Sequence, residues 1–214
     1  MPITKDLNDQ YRFVRSLYYL NDLFFDKNWS TVALRNSPTV PSDKLFFRPL
    51  EWPARKPIVE ILAYTLMPNH LHFLLKEIRE NGIALFMKKL GQSMTNHFNE
   101  KYKSKGSIFQ GGYKGKTITE DDYLRYLAVY IMVKNPFELY PNGGLEGAIK
   151  NFDDAWQWAI DYPFSSLGDY AGKRKNSPIL KKGLLGEIFS KPCDFKNFAK
   201  DCILGRKSEV ISFE

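Results

Sequence analysis

The sequence of 214 residues contains only two cysteines and three histidines. It also has no apolar run that approaches the about 18 residues required to span a bilayer. The cysteines, Cys193 and Cys202, lie together near the C-terminal end with no histidine close to them in sequence. This scarcity argues against a disulfide-stapled fold and favours unpaired thiols in a cytosolic protein. The N-terminal residues lack the pattern of a signal peptide, so we expect a cytoplasmic protein without a membrane partner.

What the sequence does contain is apolar residues and positive charge. Hydrophobic residues make up 43% of the chain and aromatic residues 15%, which is enough for a real core at this length. We therefore expect one folded domain with appendages. The formal net charge of +7 indicates an anionic partner, with nucleic acid favoured over a membrane surface.

Two of the three histidines, His70 and His72, stand one residue apart in an apolar and β-favouring stretch. In a strand, both rings would project from the same face and could converge on one ion. The preceding run, Ile58 to Tyr64, reads as the first strand of a hairpin, with Pro68-Asn69 as its turn and His70 to Lys76 as the second strand. From the residues alone, the pair is either a ligand pair or two half-buried polar side chains.

Helical periodicity lies on both sides of this hairpin. Residues Asp6 to Leu23 approximate one apolar stripe, whereas 24–57 is a polar, proline-dotted stretch that we expect to be a long loop and a mobile flap. On the next helix, His97 is either a third ligand or a solvent-facing or core-edge residue. That helix begins at Asn81-Gly82, and its apolar residues recur at steps of three and four: Ile83, Phe86, Met87, Leu90, Met94, Phe98 and Tyr102.

The segment Lys101 to Lys116 combines five lysines, two tyrosines and one phenylalanine with no acidic residue. Lysines neutralise phosphates, aromatic rings stack on unpaired bases, and glycines allow the backbone to approach a ligand closely. The composition therefore favours a nucleic-acid surface. The alternative is a solvated basic loop anchored by a buried Ile108-Phe109.

A further helix is predicted from Thr119, with acidic residues in its first turn, to Lys134, where Asn135-Pro136 is expected to stop it. Tyr126, Tyr130 and Lys134 are successive i, i+4 neighbours on this helix, so they should line one stripe. Taken alone, such tyrosines can be either the edge of an amphipathic core or part of a site.

Several segments in this order together resemble a known family, the single-tyrosine transposases of the IS200-like and REP-associated group, which belong to the HUH endonuclease superfamily. The resemblance covers roughly residues 6 to 172. The segments are Met67-Pro68-Asn69-His70-Leu71-His72-Phe73-Leu74-Leu75, Gly82-Ile83 through Phe86-Met87, Ser107-Ile108-Phe109-Gln110-Gly111, Tyr130-Ile131 before Asn135-Pro136, and Asp161-Tyr162-Pro163-Phe164-Ser165-Ser166.

The resemblance implies an α+β fold, with helices packed on an antiparallel ferredoxin-like sheet. It implies a metal-dependent endonuclease and strand transferase that acts on single-stranded DNA at hairpins through a covalent 5′-phosphotyrosine link. By this analogy, Tyr130 is the nucleophile and His70 and His72 hold Mg²⁺ or Mn²⁺, with a polar residue one helical turn beyond the tyrosine as a further ligand. The side chains expected to contact nucleic acid are Lys101, Lys103, Lys105, Phe109, Gln110, Tyr113, Lys114, Lys116, Arg125 and Lys134.

The chain departs from the family pattern at two places. The family has Tyr-Ile-x-x-Asn-Pro, but here one extra residue separates Tyr130 from Asn135, so Lys134 occupies the position one α-helical turn later. Asn135 could then bind a metal only if the helix end distorts, and Tyr126 stays a second candidate nucleophile. The family also begins with a strand that Met1 to Lys5 is too short to supply. We therefore expect a truncated sheet whose edge is covered by another segment or by a partner chain.

Three functional hypotheses follow for a catalytic domain over 1–172 and a basic extension over 173–214. The first is the transposase, as a monomer or a homodimer. The second is a catalytically impaired relative that binds single-stranded or hairpin DNA without cleaving it, and the third is a metal-dependent hydrolase that uses water. The extension is either a grip on a DNA hairpin or a solvated tail, and its charges are Lys173, Arg174, Lys175, Lys181 and Lys182.

Overall fold

The computed structural model describes residues 2–31, 46, 48–175 and 177–205. The helix over residues 7–19 lies before a β-hairpin in the chain, and a long helix and a series of shorter helices follow the hairpin. Every helix in these ranges is too short or too polar to cross a membrane. The element bounds are α1 Leu7–Tyr19, β1 Val59–Leu66, β2 Leu71–Glu77, α2 Gly82–Tyr102, α3 Asp121–Val129, a π-helix Tyr130–Lys134, α4 Asn135–Glu138, α5 Gly144–Lys150, α6 Phe152–Asp161, α7 Leu167–Tyr170, α8 Gly183–Ile188 and α9 Pro192–Ile203.

The chain forms two compact units, and both units include part of the hairpin. The first unit consists of Met1–Glu60 and Leu75–Lys114, and the second of Ile61–Leu74 and Gly115–Glu214. The strands β1 and β2 form a two-stranded antiparallel sheet, and the helices around it confirm the predicted α+β class. The predicted division at residue 172 stays a prediction. Of the loop predicted over 24–57, residues 32–45 and 47 lie outside the described part of the chain.

In the first unit, two helices form where the periodicity predicts them. Asp6 is the N-cap of helix α1, and its carboxylate accepts a 2.9 Å hydrogen bond from the Asp9 N–H, one of the free amides of the first turn. Helix α2 follows Asn81, which adopts a left-handed conformation with φ of 56°. The buried face of α2 has the predicted spacing, which confirms the apolar stripe: Phe86, Leu90, Met94 and Phe98.

Asp9 links the two helices of the first unit. It is 5% exposed and accepts hydrogen bonds from Lys101 Nζ at 2.7 Å, Tyr102 Oη at 2.7 Å and His97 Nε2 at 3.0 Å. Burial by itself raises the pKa of Asp9, but hydrogen bonds from Lys101, the Lys5 N–H and Tyr102 outweigh it and hold the pKa well below its usual value. His97 is therefore a core-edge residue in contact with Asp9.

In the second unit, the hydrophobic core surrounds the part of the hairpin that belongs to it. Strand β1 contributes Leu62 and Ala63, and β2 contributes Leu74. The helices supply most of the remaining apolar surface, including the fully buried residues Met132 and Phe137 on the segment that carries Tyr130. This packing holds the helical segment of Tyr130 against the strands, because burial of large apolar side chains is the main favourable term in folding.

Other segments of the second unit pair with β1. The Leu66 N–H donates to the Phe164 carbonyl at 2.9 Å, and the Ser166 N–H donates to the Tyr64 carbonyl at 3.0 Å, as an antiparallel bridge. Further along, the Lys181 N–H donates to the Ile61 carbonyl at 2.9 Å. The edge of the sheet was expected to be covered by another segment of the chain or by a partner chain. The chain's own segments pair with β1 and satisfy backbone groups that an open edge would expose.

Candidate metal and nucleic-acid site around Tyr130

The two histidines lie at the tip of the hairpin, within the second unit. The Met67 N–H donates a 2.9 Å hydrogen bond to the His70 carbonyl and closes the predicted turn through Pro68 and Asn69. His70 directly precedes β2, and His72 is the second residue of that strand. The two imidazole centroids are 4.8 Å apart, with ring planes at 89°. The structure thus brings the pair together at one place.

The Asn69 side chain orients the first imidazole. Its amide oxygen lies 2.7 Å from His70 Nδ1, and an amide oxygen can only accept a hydrogen bond. His70 Nδ1 therefore carries the hydrogen, and Nε2 keeps a lone pair for a ligand. The sequence pattern assigned Asn69 to the turn alone. Its position directly before His70 is the signal that could have revealed this second role.

His72 lies in drier surroundings than His70. Its Nε2 atom is buried and has no hydrogen-bond partner among the described residues. Burial, together with the neighbouring His70 and Lys134, lowers the pKa of His72 to about 4, so the ring is neutral at pH 7. A buried ring nitrogen without a partner is costly unless it binds something. The pair therefore fits a metal ion, for which neutral imidazole is a common ligand.

Tyr130 is the tyrosine that the structure places beside the histidines. The centroid of its ring is 5.2 Å from that of His72, with the planes at 84°. Tyr126, one turn earlier, packs its ring on Phe198 at 5.6 Å instead. Tyr130 is partly exposed, as a phenol that must reach a substrate has to be. Of the two candidate nucleophiles, the geometry favours Tyr130.

The extra residue between Tyr130 and Asn135 is accommodated by a π-helix. Residues Tyr130–Lys134 form this wider turn, and the Asn135 N–H donates to the Tyr130 carbonyl five residues before it. A single π-turn is the ordinary way in which a helix absorbs one inserted residue. Asn135, and not Lys134, is therefore one turn beyond Tyr130. The helix end does distort, as the Asn135 hypothesis requires.

The prediction that Asn135-Pro136 stops the helix is wrong. After the π-turn the chain continues as α4, Asn135–Glu138, with Pro136 near its start. Proline is tolerated there because the first positions of a helix need no N–H donor. The predicted start is also shifted, since the residue that precedes α3 is Glu120 and no side-chain cap is formed.

Asn135 is 1% exposed, and its Nδ2 atom is buried without a hydrogen-bond partner in the described residues. The described residues contain no cluster of three or more His, Cys, Asp or Glu side chains that could hold a metal ion. Within the described ranges, a third protein ligand beside the histidine pair would therefore be of another type, as Asn135 is. Amide oxygens are among the ligands that Mg²⁺ and Mn²⁺ accept.

Lys134 and Glu138 form an ion pair beside Tyr130. Lys134 Nζ lies 2.8 Å from Glu138 Oε1 and 5.2 Å from the centre of the Tyr130 ring. Both charges act on His72: Lys134 lowers the pKa of its imidazole, and Glu138 raises it. Glu138 is not among the site residues predicted from the sequence. Its place four residues after Lys134, where side chains meet across one helical turn, was the available signal.

In addition to Lys101, six of the residues predicted to contact nucleic acid belong to the first unit. Lys101 is already paired with Asp6 at 2.6 Å and Asp9 at 2.7 Å, so its charge is largely satisfied within the fold. The others include one half-buried ring, Phe109, and mostly exposed side chains. Those six are Lys103, Lys105, Phe109, Gln110, Tyr113 and Lys114, of which Tyr113 is 52% exposed.

The remaining predicted contacts belong to the second unit with Tyr130. Lys116 is exposed, and its Nζ lies 4.5 Å from the centre of the Tyr123 ring. Arg125 forms a loose, exposed pair with Asp122 at 3.9 Å. Arg125 on α3 and Lys134 on the π-helix thus place positive charge on the helical segment of the candidate nucleophile, and Lys116 lies before it in the chain.

The basic residues after 172 are partly used inside the second unit. Arg174 pairs with Asp169 at 2.8 Å and donates to the Ser165 carbonyl. Lys182 donates to the Asp169 carbonyl at 2.7 Å, and Lys173 pairs with Asp161. These contacts hold the chain against α7 and leave fewer charges for DNA than the sequence alone suggested. Residues 176 and 206–214 of the predicted extension lie outside the described part.

Comparison with known proteins supports the resemblance. Residues 51–134 match the family model described as transposase IS200 like. This range includes the His pair, helix α2, the basic segment and Tyr130, and it ends at Lys134. No curated protein and no solved structure matched the chain. Through residues 51–134, the chain is therefore similar to the family of IS200-like transposases.

Proposed function

We propose that the protein is a transposase that cleaves and rejoins single-stranded DNA at folded hairpins, with Tyr130 as its covalent nucleophile. The match of residues 51–134 to IS200-like transposases supports a DNA-processing enzyme. The observation that carries the finer proposal is the contact between Tyr130 and His72, at 5.2 Å between ring centroids, next to a buried imidazole nitrogen without a partner. A nucleophile and a ligand pair are the two parts that such chemistry requires.

His70, His72 and Asn135 would hold the divalent ion, either Mg²⁺ or Mn²⁺. Asn69 keeps the His70 Nε2 lone pair available through its contact with Nδ1, and burial keeps His72 neutral. When bound, the ion supplies Lewis acidity that polarises the scissile phosphodiester. Manganese tolerates imidazole ligands better than magnesium does, so we expect higher activity with Mn²⁺.

Tyr130 performs the covalent step. Its Oη attacks phosphorus, the new O–P bond forms as the bond from phosphorus to the 3′-oxygen breaks, and the phenol proton passes to solvent. The departing 3′-oxygen takes a proton from water and leaves as a hydroxyl, while the 5′-phosphoryl stays on Tyr130. Rejoining is the reverse reaction with a second 3′-hydroxyl as nucleophile. The phenol is then a better leaving group than an alkoxide because it is the stronger acid.

Lys134 and the exposed basic side chains would bind the substrate backbone. Lys134 lies on the same helical segment as Tyr130, with its Nζ near that ring. The segment around Lys103, Lys105 and Tyr113 offers charge and an exposed ring, the combination that binds single strands.

A second candidate is a relative that binds hairpin DNA without cleaving it. The ion pair of Lys134 with Glu138 favours it, because the ammonium nearest the Tyr130 ring is already paired with a carboxylate. This candidate predicts salt-sensitive DNA binding with no covalent adduct at any metal concentration.

The experiment traps the covalent intermediate, in which the 5′-phosphate of the cleaved DNA stays attached to the protein. Purified protein is incubated with Mn²⁺ and a single-stranded hairpin oligonucleotide that is fluorescently labelled at its 3′ end, and the adduct is resolved on a denaturing gel. We expect an adduct with the wild type and with Tyr126→Phe, and none with Tyr130→Phe. Tyr126→Phe is the matched control because it removes a phenol one turn away on the same helix.

Three other outcomes would each reject the proposal in a different way. An adduct that persists in Tyr130→Phe would place the nucleophile elsewhere. Tight binding without an adduct in the wild type would support the binding module. Cleavage that survives Tyr130→Phe but is lost in His70→Ala would support a hydrolase that uses water.

A further inference from the structure

Thr65 is a buried polar residue in β1 whose hydroxyl reaches the helical segment of Tyr130. Its side chain is completely buried, and Oγ1 lies 2.6 Å from the Ile131 carbonyl oxygen. The same oxygen is 3.0 Å from Ser165 Oγ and 2.9 Å from the Tyr64 carbonyl. A buried hydroxyl is costly without a partner, so the choice of threonine over valine in this strand needs an explanation.

The Ile131 carbonyl has lost its ordinary helical donors. In an α-helix it would accept from the Asn135 N–H, but that group donates to the Tyr130 carbonyl in the π-turn. In a continued π-helix it would accept from residue 136, which is proline and has no N–H. Ile131 itself is 3% exposed, so water is a poor substitute. The Thr65 hydroxyl supplies the missing donor.

The neighbouring hydroxyl completes this contact. A hydroxyl has a single proton to donate, and the shortest contact of Thr65 is the one to Ile131. Ser165 Oγ can then donate to Thr65 Oγ1 while it accepts a 3.2 Å hydrogen bond from the Leu167 N–H. Each group in the chain from Leu167 to Ile131 is used once, which fixes the direction of the network.

We propose that Thr65 is a positioning residue, which holds the π-turn through the Ile131 carbonyl and thereby sets Tyr130 and Asn135 against the histidine pair. This inference rests on the proposed function of Tyr130. The reason is geometric: the π-turn gives Tyr130 and Asn135 their common face, and it leaves the Ile131 carbonyl without its α-helical donor. A fixed donor from the strand next to the hairpin tip keeps that turn in register.

The test compares Thr65→Val, Thr65→Ser and Ser166→Ala. Valine keeps the shape of threonine and removes the hydroxyl, whereas serine keeps the hydroxyl. Ser166→Ala is the matched control because Ser166 is equally buried and its hydroxyl contacts the N–H and carbonyl of Tyr64, not the π-turn. All variants are assayed well below their melting temperatures, so that loss of folded protein does not contribute.

We expect the single-turnover adduct rate of Thr65→Val at saturating DNA to fall about tenfold to a hundredfold, because small displacements of a nucleophile have effects of that size. Its DNA dissociation constant should stay within about twofold of the wild type, since no proposed phosphate contact is removed. Thr65→Ser and Ser166→Ala should react within about threefold of the wild type, since both keep the donor to Ile131. A wild-type rate for Thr65→Val, or an equal loss in Ser166→Ala, would overturn the proposal.

Hydrogen exchange of the backbone amides of residues 131–135, 137 and 138 separates this proposal from the proposed function. Thr65→Val should speed exchange there about tenfold, and Thr65→Ser should not. Pro136→Ala, which restores an N–H able to reach the Ile131 carbonyl, should reduce the effect of Thr65→Val on that exchange. If the wild type forms no adduct, the proposed function fails, yet the exchange data still decide whether Thr65 holds the π-turn. Unchanged exchange in Thr65→Val would reject it.

Discussion

The Lys134 ammonium lies 5.2 Å from the centre of the Tyr130 ring. In the proposed reaction this places a positive charge next to the point where the Tyr130 oxygen meets the phosphate, and such preorganised charge stabilises the negatively charged transition state. We predict that Lys134→Met lowers the single-turnover adduct rate about tenfold, corresponding to about 1.4 kcal/mol. Methionine keeps much of the length of the side chain and removes the charge.

Glu138→Gln provides the control for that prediction. It removes the partner that holds Lys134 at 2.8 Å but keeps the lysine charge, so the adduct rate should be retained or rise. A Lys134→Met enzyme that is as fast as the wild type would show that the ammonium does not assist Tyr130. A faster one would show that the lysine restrains the site.

The second prediction concerns Asn69 and metal affinity. Its amide oxygen contacts His70 Nδ1 at 2.7 Å, and partners of this kind typically change metal affinity by about tenfold to a hundredfold. Asn69→Ala should therefore weaken Mn²⁺ binding about tenfold, measured as free Mn²⁺ by electron paramagnetic resonance. His70→Ala should lose more affinity. Asn96→Ala, an exposed asparagine on α2, should bind Mn²⁺ like the wild type, and equal affinity in all three variants would contradict the histidine site.

The third prediction separates two lysines of the basic segment by their surroundings. Lys105 is exposed and forms no ion pair with the described acidic residues, whereas Lys101 pairs with Asp6 and Asp9. Lys105→Met should weaken single-strand DNA binding and reduce the slope of log affinity against log salt by about 0.7. Lys101→Met should instead lower the free energy of unfolding, by about 1 to 3 kcal/mol, because it leaves Asp9 buried without a cation.

Fluorescence anisotropy over a salt series measures the slope, and urea denaturation measures the stability. The two variants carry the same substitution and differ only in position, so each is the control for the other. A salt slope that changes in Lys101→Met but not in Lys105→Met would reverse the assignment.

The fourth prediction is a dependence of stability on pH that originates at Asp9. Its pKa is lowered in the folded protein from the usual value of 3.8, so the folded state favours the carboxylate. The stabilisation is therefore present above about pH 4 and is lost progressively as the pH falls below it. Asp9→Asn should lower the free energy of unfolding at pH 7 by about 2 kcal/mol.

At pH 3 the difference between Asp9→Asn and the wild type should shrink, because the wild type then loses part of the same stabilisation. Urea denaturation at both pH values tests this. A difference that stays constant between pH 7 and pH 3 would show that the hydrogen bonds of Asp9 do not depend on its charge.

Much of the local structure was readable from the sequence. The sequence predicts the hairpin with its Pro68-Asn69 turn, and it predicts the buried face of α2. Apolar residues recur every second position in a strand and every three or four positions in a helix, because of the directions in which side chains leave each backbone. The spacing of His70 and His72 is of the same kind. Such local rules also carried the family resemblance, because the motif residues are neighbours in the chain.

Other features were decided only by tertiary structure. Pro136 predicts that the helix stops at Asn135, yet the chain forms a π-turn and the helix continues to Glu138. No local pattern announces that turn, because its orphaned carbonyl is satisfied from β1 by Thr65, which is far away in sequence. The local sequence also does not indicate that Lys101 pairs with Asp6 and Asp9, which are distant from it in the chain. The sequence determined which side chains are present and how each segment folds, but the choice among competing partners for a buried polar group depends on distances that only packing creates.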